Sequence, residues 1–377
     1  MDDYFSREFS LNEDIIYLNH AAVGPWPRRT AEAVKAFADE NAAKGSLDYL
    51  RWLATADALR VRLKTLLNTP SKDNIALVKN TSEALSFVAY GLDWAEGDNI
   101  VSTNQEFPSN RIVWESLASK GVEFREADIG SGKSPEDALF ALVDGRTRLI
   151  TVSSVQFGTG LSLDLSHIGE FCKRGGILFC VDAIQSLGAI SFDAESIHAD
   201  FVMADGHKWM LGPEGVAVFY SSPNARDRLG LSEYGWNMVE NSGDFDAREW
   251  KIAPNARRFE CGSPNMLGIH ALEASLSLLL ETGMEVVERR VLENSSYLFE
   301  SIRSRGLKLI TDDSPGRYAG IVTFGLFDGD NARLHAHLTQ NGVLCAFRSG
   351  GIRFSPHFYT PQEHLRRAMA IIVNYKP

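Results

Sequence analysis

The run Ile177-Leu178-Phe179-Cys180-Val181, followed directly by Asp182, decides the architecture of this chain. An unbroken apolar run of this length reads as a strand buried on both faces, as in the middle of a parallel sheet. The next strand candidate, 201–204, leads into Asp205-Gly206-His207-Lys208-Trp209. Upstream, strand-like runs at 75–79, 100–103 and 149–154 are each followed by a helical pattern, at 82–90, 110–120 and 165–174. A further strand candidate lies at 216–220. Strands alternating with helices predict an α/β fold with a mainly parallel sheet covered by helices.

Beyond about residue 263 the pattern changes. Residues 266–282 and 285–303 read as long helices, with Gly283 as a stop or hinge between them. Strand candidates at 321–324, 342–346 and 351–355 precede a last helix at 361–373. The expected organisation is a large domain over 15–282 and a smaller α+β domain over 283–377. An N-terminal arm, 1–14, is expected to pack against the smaller domain. A length of 377 residues suits two unequal domains.

Composition narrows the classes of function. A hydrophobic share of 44% and a charged share of 23% are those of a soluble globular protein. The net charge of -11, with no Lys/Arg-rich block, argues against nucleic acid and anionic membrane as partners. The first ten residues are polar and acidic, without the apolar core of a secretory signal. No apolar run approaches the roughly 20 residues of a membrane span. The cysteines, Cys172, Cys180, Cys261 and Cys345, show neither paired nor metal-ligand spacing. Reduced thiols in a cytoplasmic, metal-free protein are expected.

Asp182 stands at the carboxyl end of a buried strand, where open α/β sheets bind ligands. Taken alone it reads as a helix cap, and Lys208 alone reads as a surface lysine. Together they fit one chemistry. An aldehyde cofactor needs a lysine amine for its Schiff base and a carboxylate that keeps its ring nitrogen protonated.

Asp182-Ala183-Ile184-Gln185, Asp205-Gly206-His207-Lys208 and Gly212-Pro213-Glu214-Gly215 together resemble the class V aminotransferase family. That family includes cysteine desulfurases, selenocysteine lyases, kynureninases and isopenicillin N epimerase. The resemblance extends from Tyr17-Leu18-Asn19-His20 to Arg353-Phe354-Ser355-Pro356. It implies the fold type I architecture, pyridoxal 5'-phosphate as cofactor, and an amino acid as substrate. Lys208 and Asp182 would then be catalytic.

Other roles follow from the resemblance position by position. Asn80-Thr81-Ser82 looks like the phosphate-binding turn, where Thr81 and Ser82 would add hydroxyls to a helix N-terminus. Phe107 would stack on the pyridine face, and His207 would touch the phosphate. Gln156 and Gln185 would hydrogen-bond the phenolic oxygen. Ser263, in Gly262-Ser263, would donate to the phosphate of a partner subunit, implying a homodimer with shared sites. Arg353 would grip the substrate carboxylate with two parallel hydrogen bonds, and Arg348 is the weaker candidate for that role. Taken singly, Thr81 and Ser263 also read as helix caps, Phe107 as a core ring and Gln156 as a loop residue.

Asp205 beside a phosphate would repel it, so an orienting role is expected instead. Desulfurases carry a nucleophilic cysteine on a loop just before the carboxylate arginine. Here Arg348-Ser349-Gly350-Gly351-Ile352-Arg353 has neither loop nor cysteine, which argues against a persulfide-forming desulfurase. The first expectation is a transferase, a class V aminotransferase. The alternatives are a C–S β-lyase like selenocysteine lyase, or an amino-acid epimerase.

Overall fold

The computed structural model of the chain describes residues 3–130, 132 and 134–375; Met1 and Asp2 of the expected arm lie outside them. Its centre is a seven-stranded sheet. In spatial order the strands are Ile75–Val78, Ala217–Ser221, Phe201–Asp205, Leu178–Asp182, Thr147–Ser153, Asn99–Thr103 and Glu123–Ala127. Only Ala217–Ser221 runs against its neighbours. The five strands from Phe201–Asp205 to Glu123–Ala127 pair in parallel. The mainly parallel α/β expectation therefore holds.

Parallel pairing has a direct consequence for function. It carries Val78, Thr103, Ser153, Asp182 and Asp205 to the same edge of the sheet, because each ends its strand there. Leu178–Asp182 is buried at every position, as its apolar run requires. Helices follow with the caps the sequence supplies. Asn80 accepts from the Glu83 amide at the start of Thr81–Gly91, and Asp164 accepts from the His167 amide at the start of Leu165–Gly175.

Several elements depart from the predicted pattern. The helix expected over 110–120 is an α-helix, Ser109–Glu115, that tightens into a 3-10 turn, Ser116–Lys120, closed by Gly121 at φ 74°. The strand expected over 342–346 is divided at Cys345. Val343–Leu344 pairs with Ile16–Tyr17, whereas Ala346–Arg348 pairs with Gly351–Phe354. Two long helices, Arg28–Lys44 and Tyr49–Leu66, have no counterpart in the sequence reading. They pack along the mostly buried helix Met266–Thr282.

Buried apolar side chains gather on both faces of the large sheet and in a separate small core. The helix Met284–Ser304 serves two of these cores: Val287 and Val291 join the large one, and Leu298, Phe299 and Ile302 the small one. The N-terminal segment is divided in the same way. Phe5 and Phe9 lie in the large core against Phe358 and Tyr359, while Ile16 and Leu18 lie in the small core.

Candidate active site

Lys208 sits in a sharp turn after Phe201–Asp205. A Cβ on Gly206 would meet the Val216 carbonyl oxygen and one on Gly212 the Leu272 side chain too closely, and the Gly212 amide donates to the Gly206 carbonyl at 2.8 Å. Leu211 adopts φ 60°, which an apolar residue rarely does unless the fold imposes it. The turn is therefore held by contacts around it. Gly24 donates to the His207 carbonyl at 2.6 Å and the Trp26 indole to the Gly212 carbonyl at 3.1 Å. Trp209, fully buried, donates its indole N–H to Gln185 Oε1 at 2.8 Å.

The Trp209 carbonyl completes the clamp. It accepts from His357 Nε2 at 2.9 Å, and His357 Nδ1 accepts from the Phe358 amide at 2.8 Å. A carbonyl can only accept, so His357 is the neutral Nε2–H tautomer. His20 lies beside it, bonded to the Ser355 carbonyl at 2.9 Å and the Tyr359 hydroxyl at 2.7 Å. Burial holds His20 well below the usual histidine range and His357 down to about 4.

A stability prediction follows from His357. The unfolded chain takes up this proton near pH 6.5 and the folded chain only near 4. The contribution is complete above 6.5 and is lost as pH falls from 6.5 towards 4, by roughly 3 kcal/mol. Melting temperatures measured across that window should fall less steeply in His357→Gln, which can still donate to the Trp209 carbonyl. Equal slopes in the two proteins would refute this.

Lys208 and Asp182 are both almost wholly buried. Burial pushes the lysine pKa down, and the Asp182 charge opposes that shift. Burial pushes the Asp182 carboxyl up, opposed by the Ile184 amide, which donates to it at 3.0 Å, and by the Lys208 charge. The Phe107 ring lies 5.4 Å from Lys208 Nζ and meets the Phe157 ring edge-on at 5.2 Å. Arg353, on Gly351–Phe354, is buried; it donates to the Phe157 carbonyl at 2.7 Å and to Asn19 Oδ1 at 3.4 Å.

Among the described residues, five of the eight buried side-chain polar atoms without a partner belong to expected site residues or their neighbour: Thr81 Oγ1, Gln156 Oε1, Asp205 Oδ1, His207 Nδ1 and Arg353 Nε. Buried polar groups are rarely left unsatisfied, so such a concentration marks a ligand cradle. Thr81 opens an eleven-residue helix whose N-terminal amides suit a phosphate. Arg353 is a buried cation with no acidic partner among the described residues, which suits a substrate carboxylate.

Other expected residues are placed differently. Both amide atoms of Gln185 are engaged, Nε2 with the Ala21 carbonyl and Oε1 with Trp209. Gln185 thus ties the N-terminal segment to the lysine turn. Gln156 spends Nε2 on Glu106 at 3.0 Å, so the atom it leaves without a partner is an acceptor. Exposed Ser82 donates to Ser109. His207 Nδ1 lies 3.2 Å from Asp205 Oδ1 without hydrogen-bond alignment. Ser263 is exposed and lines a separate cleft of about 160 Å³ with Lys79, Glu83, Glu233 and Cys261.

Glu106, the residue before Phe107, has a role that the sequence did not suggest. Its buried carboxylate accepts from Thr103 Oγ1, Asn110 Nδ2, Gln156 Nε2 and both the amide and hydroxyl of Ser153. Its charge also helps hold the Asp182 carboxyl up. A glutamate between a strand end and an aromatic is the only local signal, and it does not reveal five donors drawn from separate elements.

Residues 16–367 match the family described as aminotransferase class-V. The chain belongs to that family. Its cofactor is pyridoxal 5'-phosphate, for which Lys208, Asp182 and Thr81 have the required chemistry. The chain is similar to a probable cysteine desulfurase of Methanothermobacter thermautotrophicus, 30% identical over 387 residues, covering 96% of this chain and 94% of the relative. A cysteine desulfurase of Yersinia pestis is 29% identical over 322 residues, covering 84% and 78%. Among solved structures, the cystine C–S lyase C-DES with its product cysteine persulfide superposes with a TM-score of 0.89 at 22% identity, covering 97% of this class V chain and 99% of the lyase. The apo cysteine desulfurase of Thermococcus onnurineus gives 0.88 at 23%, covering 99% and 98%. These structural likenesses establish the fold type I architecture.

Proposed function

We propose that this chain is a pyridoxal-phosphate lyase that breaks the Cβ–S bond of a sulfur-containing amino acid by β-elimination, without an enzyme persulfide. The observation that carries this reading is the Arg348–Gly351 turn. Ser349 and Gly350 sit at φ 49° and 72°, the left-handed pair of a two-residue hairpin, so strand follows strand directly. A cysteine-bearing loop has no place there. Cys345 is buried, and its thiol is pushed up to about 12. A thiol so protonated is a poor nucleophile. The relatives named for sulfur chemistry support the substrate class, and the missing cysteine separates this chain from the persulfide route.

The residues divide the work. Arg353 holds the α-carboxylate. Lys208, buried and with a lowered pKa, removes the α-proton as a neutral amine. Bound pyridoxal phosphate supplies an electron sink for the pair that remains. Asp182 holds the proton on the ring nitrogen, and Phe107 with Phe157 shields the lysine from solvent. The sulfur leaves with the Cβ–S electron pair as a thiolate or, from a disulfide, a persulfide. The three-carbon remainder hydrolyses to pyruvate and ammonia.

The test is pyruvate release from cystine and S-alkylcysteines without any keto acid, in wild type and in Cys345→Ala. Equal rates in both are expected. Accumulation of the amine form of the cofactor, discharged only by a keto acid, would mean transamination instead. A rate lost with Cys345 would restore the persulfide route.

A further inference from the structure

The Arg353 guanidinium takes its direction from one loop carbonyl. Its Nη1 donates to the Phe157 carbonyl at 2.7 Å, Nη2 reaches Asn19 Oδ1 at 3.4 Å, and Nε has no partner. A guanidinium grips a carboxylate through a planar fork of N–H groups. The Phe157 carbonyl pins one corner of that plane, so its position governs how the rest of the fork is presented.

The loop that carries Phe157 is held from outside. It closes on itself through the Gly160 amide, which donates to the Gln156 carbonyl at 2.9 Å, and the Gln156 amide, which donates to the Leu161 carbonyl at 2.8 Å. The three carbonyls between, of Phe157, Gly158 and Thr159, need donors from elsewhere. They accept from Arg353 at 2.7 Å, Thr323 Oγ1 at 2.7 Å and Thr311 Oγ1 at 2.5 Å. Three side chains of the C-terminal part of the chain thus take three consecutive peptides.

Thr323 is the centre of this grip. It is fully buried on Val322–Gly325 and pairs directly opposite Arg353 on Gly351–Phe354. Directly opposed side chains of an antiparallel pair project from the same face. Thr311 fixes Thr323 in turn: its Oγ1 accepts from the Thr323 amide at 2.8 Å and its amide donates to the Thr323 carbonyl at 3.1 Å. The loop has little room to shift. A Cβ on Gly158 would collide with the Ser349 hydroxyl, and one on Gly160 with the Ile321 carbonyl.

We infer that Thr323, supported by Thr311, is a positioning residue for the binding of the substrate carboxylate. Its hydroxyl fixes the Gly158 peptide, that peptide fixes the adjacent Phe157 carbonyl, and the carbonyl aims Arg353. The inference rests on Arg353 as the carboxylate ligand and is independent of which substrate bond is broken.

Binding of butyrate, an unreactive monocarboxylate, to the holoenzyme tests this by calorimetry without turnover. Thr323→Val keeps the branched shape and leaves the Gly158 carbonyl buried without a donor, so the affinity should fall about tenfold. Thr323→Ser retains the hydroxyl and should bind as wild type does. Thr311→Val should weaken binding in the same direction, and all three variants should carry a full load of cofactor. A lowered melting temperature with wild-type affinity in Thr323→Val overturns the positioning role, as does a Thr323→Ser protein that binds as weakly as Thr323→Val. Arg353→Ala separates that failure from failure of the carboxylate reading, since it should bind no butyrate. Were its affinity that of wild type, Arg353 would not be the carboxylate ligand and the inference would fall with it.

Discussion

Replacing Lys208 with alanine should remove turnover, by about 10⁴-fold or more, at the upper end of what proton transfer contributes because two roles are lost together. In the proposed mechanism the ε-amine is both the atom that anchors the aldehyde and the base at the α-carbon. Its burial lowers its pKa, which keeps a neutral fraction available near pH 7 to 8. The variant should still fold, since the turn is held by Gly24, Trp26, Gln185 and His357 rather than by the lysine side chain. Two measurements check this: steady-state rate, and borohydride reduction followed by peptide mapping. Wild type should carry the reduced cofactor on Lys208 and the variant should carry none. More than a tenth of wild-type activity in Lys208→Ala would remove the lysine from the mechanism.

Asp182→Asn is expected to cost about 10²–10³-fold in kcat, the scale of losing one pre-organised electrostatic partner. Asparagine keeps the shape and the acceptor for the Ile184 amide, and loses only the charge. Cofactor should remain bound, because Thr81 and the helix it opens are untouched. A second readout comes from the same charge. Asp182 raises the Lys208 pKa against the pull of burial, so its removal moves that pKa lower still. Only the neutral amine attacks the aldehyde. The rate of cofactor reloading onto the stripped protein should therefore reach its plateau at lower pH in Asp182→Asn than in wild type. Unchanged turnover together with an unchanged reloading profile would leave Asp182 without its assigned role.

The parts of this site that could be read from sequence are those written in local patterns. An unbroken apolar run marks a central strand, so Asp182 can be placed at its end. Gly206 before Lys208 and Asn80 before Thr81 mark a turn and a cap by residue type alone. The same local rules fail where an element must adapt to its surroundings. The 342–346 run is apolar enough for one strand, yet it serves two partners and breaks at Cys345. The helix Arg28–Lys44 buries only Thr30 fully, so its periodicity carries little apolar signal. The helix Tyr49–Leu66 buries Trp52, Ala56, Leu59, Leu63 and Leu66 at helical spacing, a stripe blurred by the exposed apolar residues Leu50, Leu53 and Val61.

The amino-acid sequence by itself determined the α/β sheet, the lysine and carboxylate at adjacent strand ends, and the missing cysteine before Arg353. Those facts depend on residue types and short spacings. Only the tertiary structure decided how the polar groups are spent. Gln185 bonds Ala21 and Trp209, Glu106 gathers donors from residues 103 to 156, and His357 reaches the Trp209 carbonyl across 148 positions of chain. The pairing register likewise decided that Thr323 and Arg353 share a face. Hydrogen bonds and register are relations between segments distant in sequence, and they are fixed by the packing that brings those segments together.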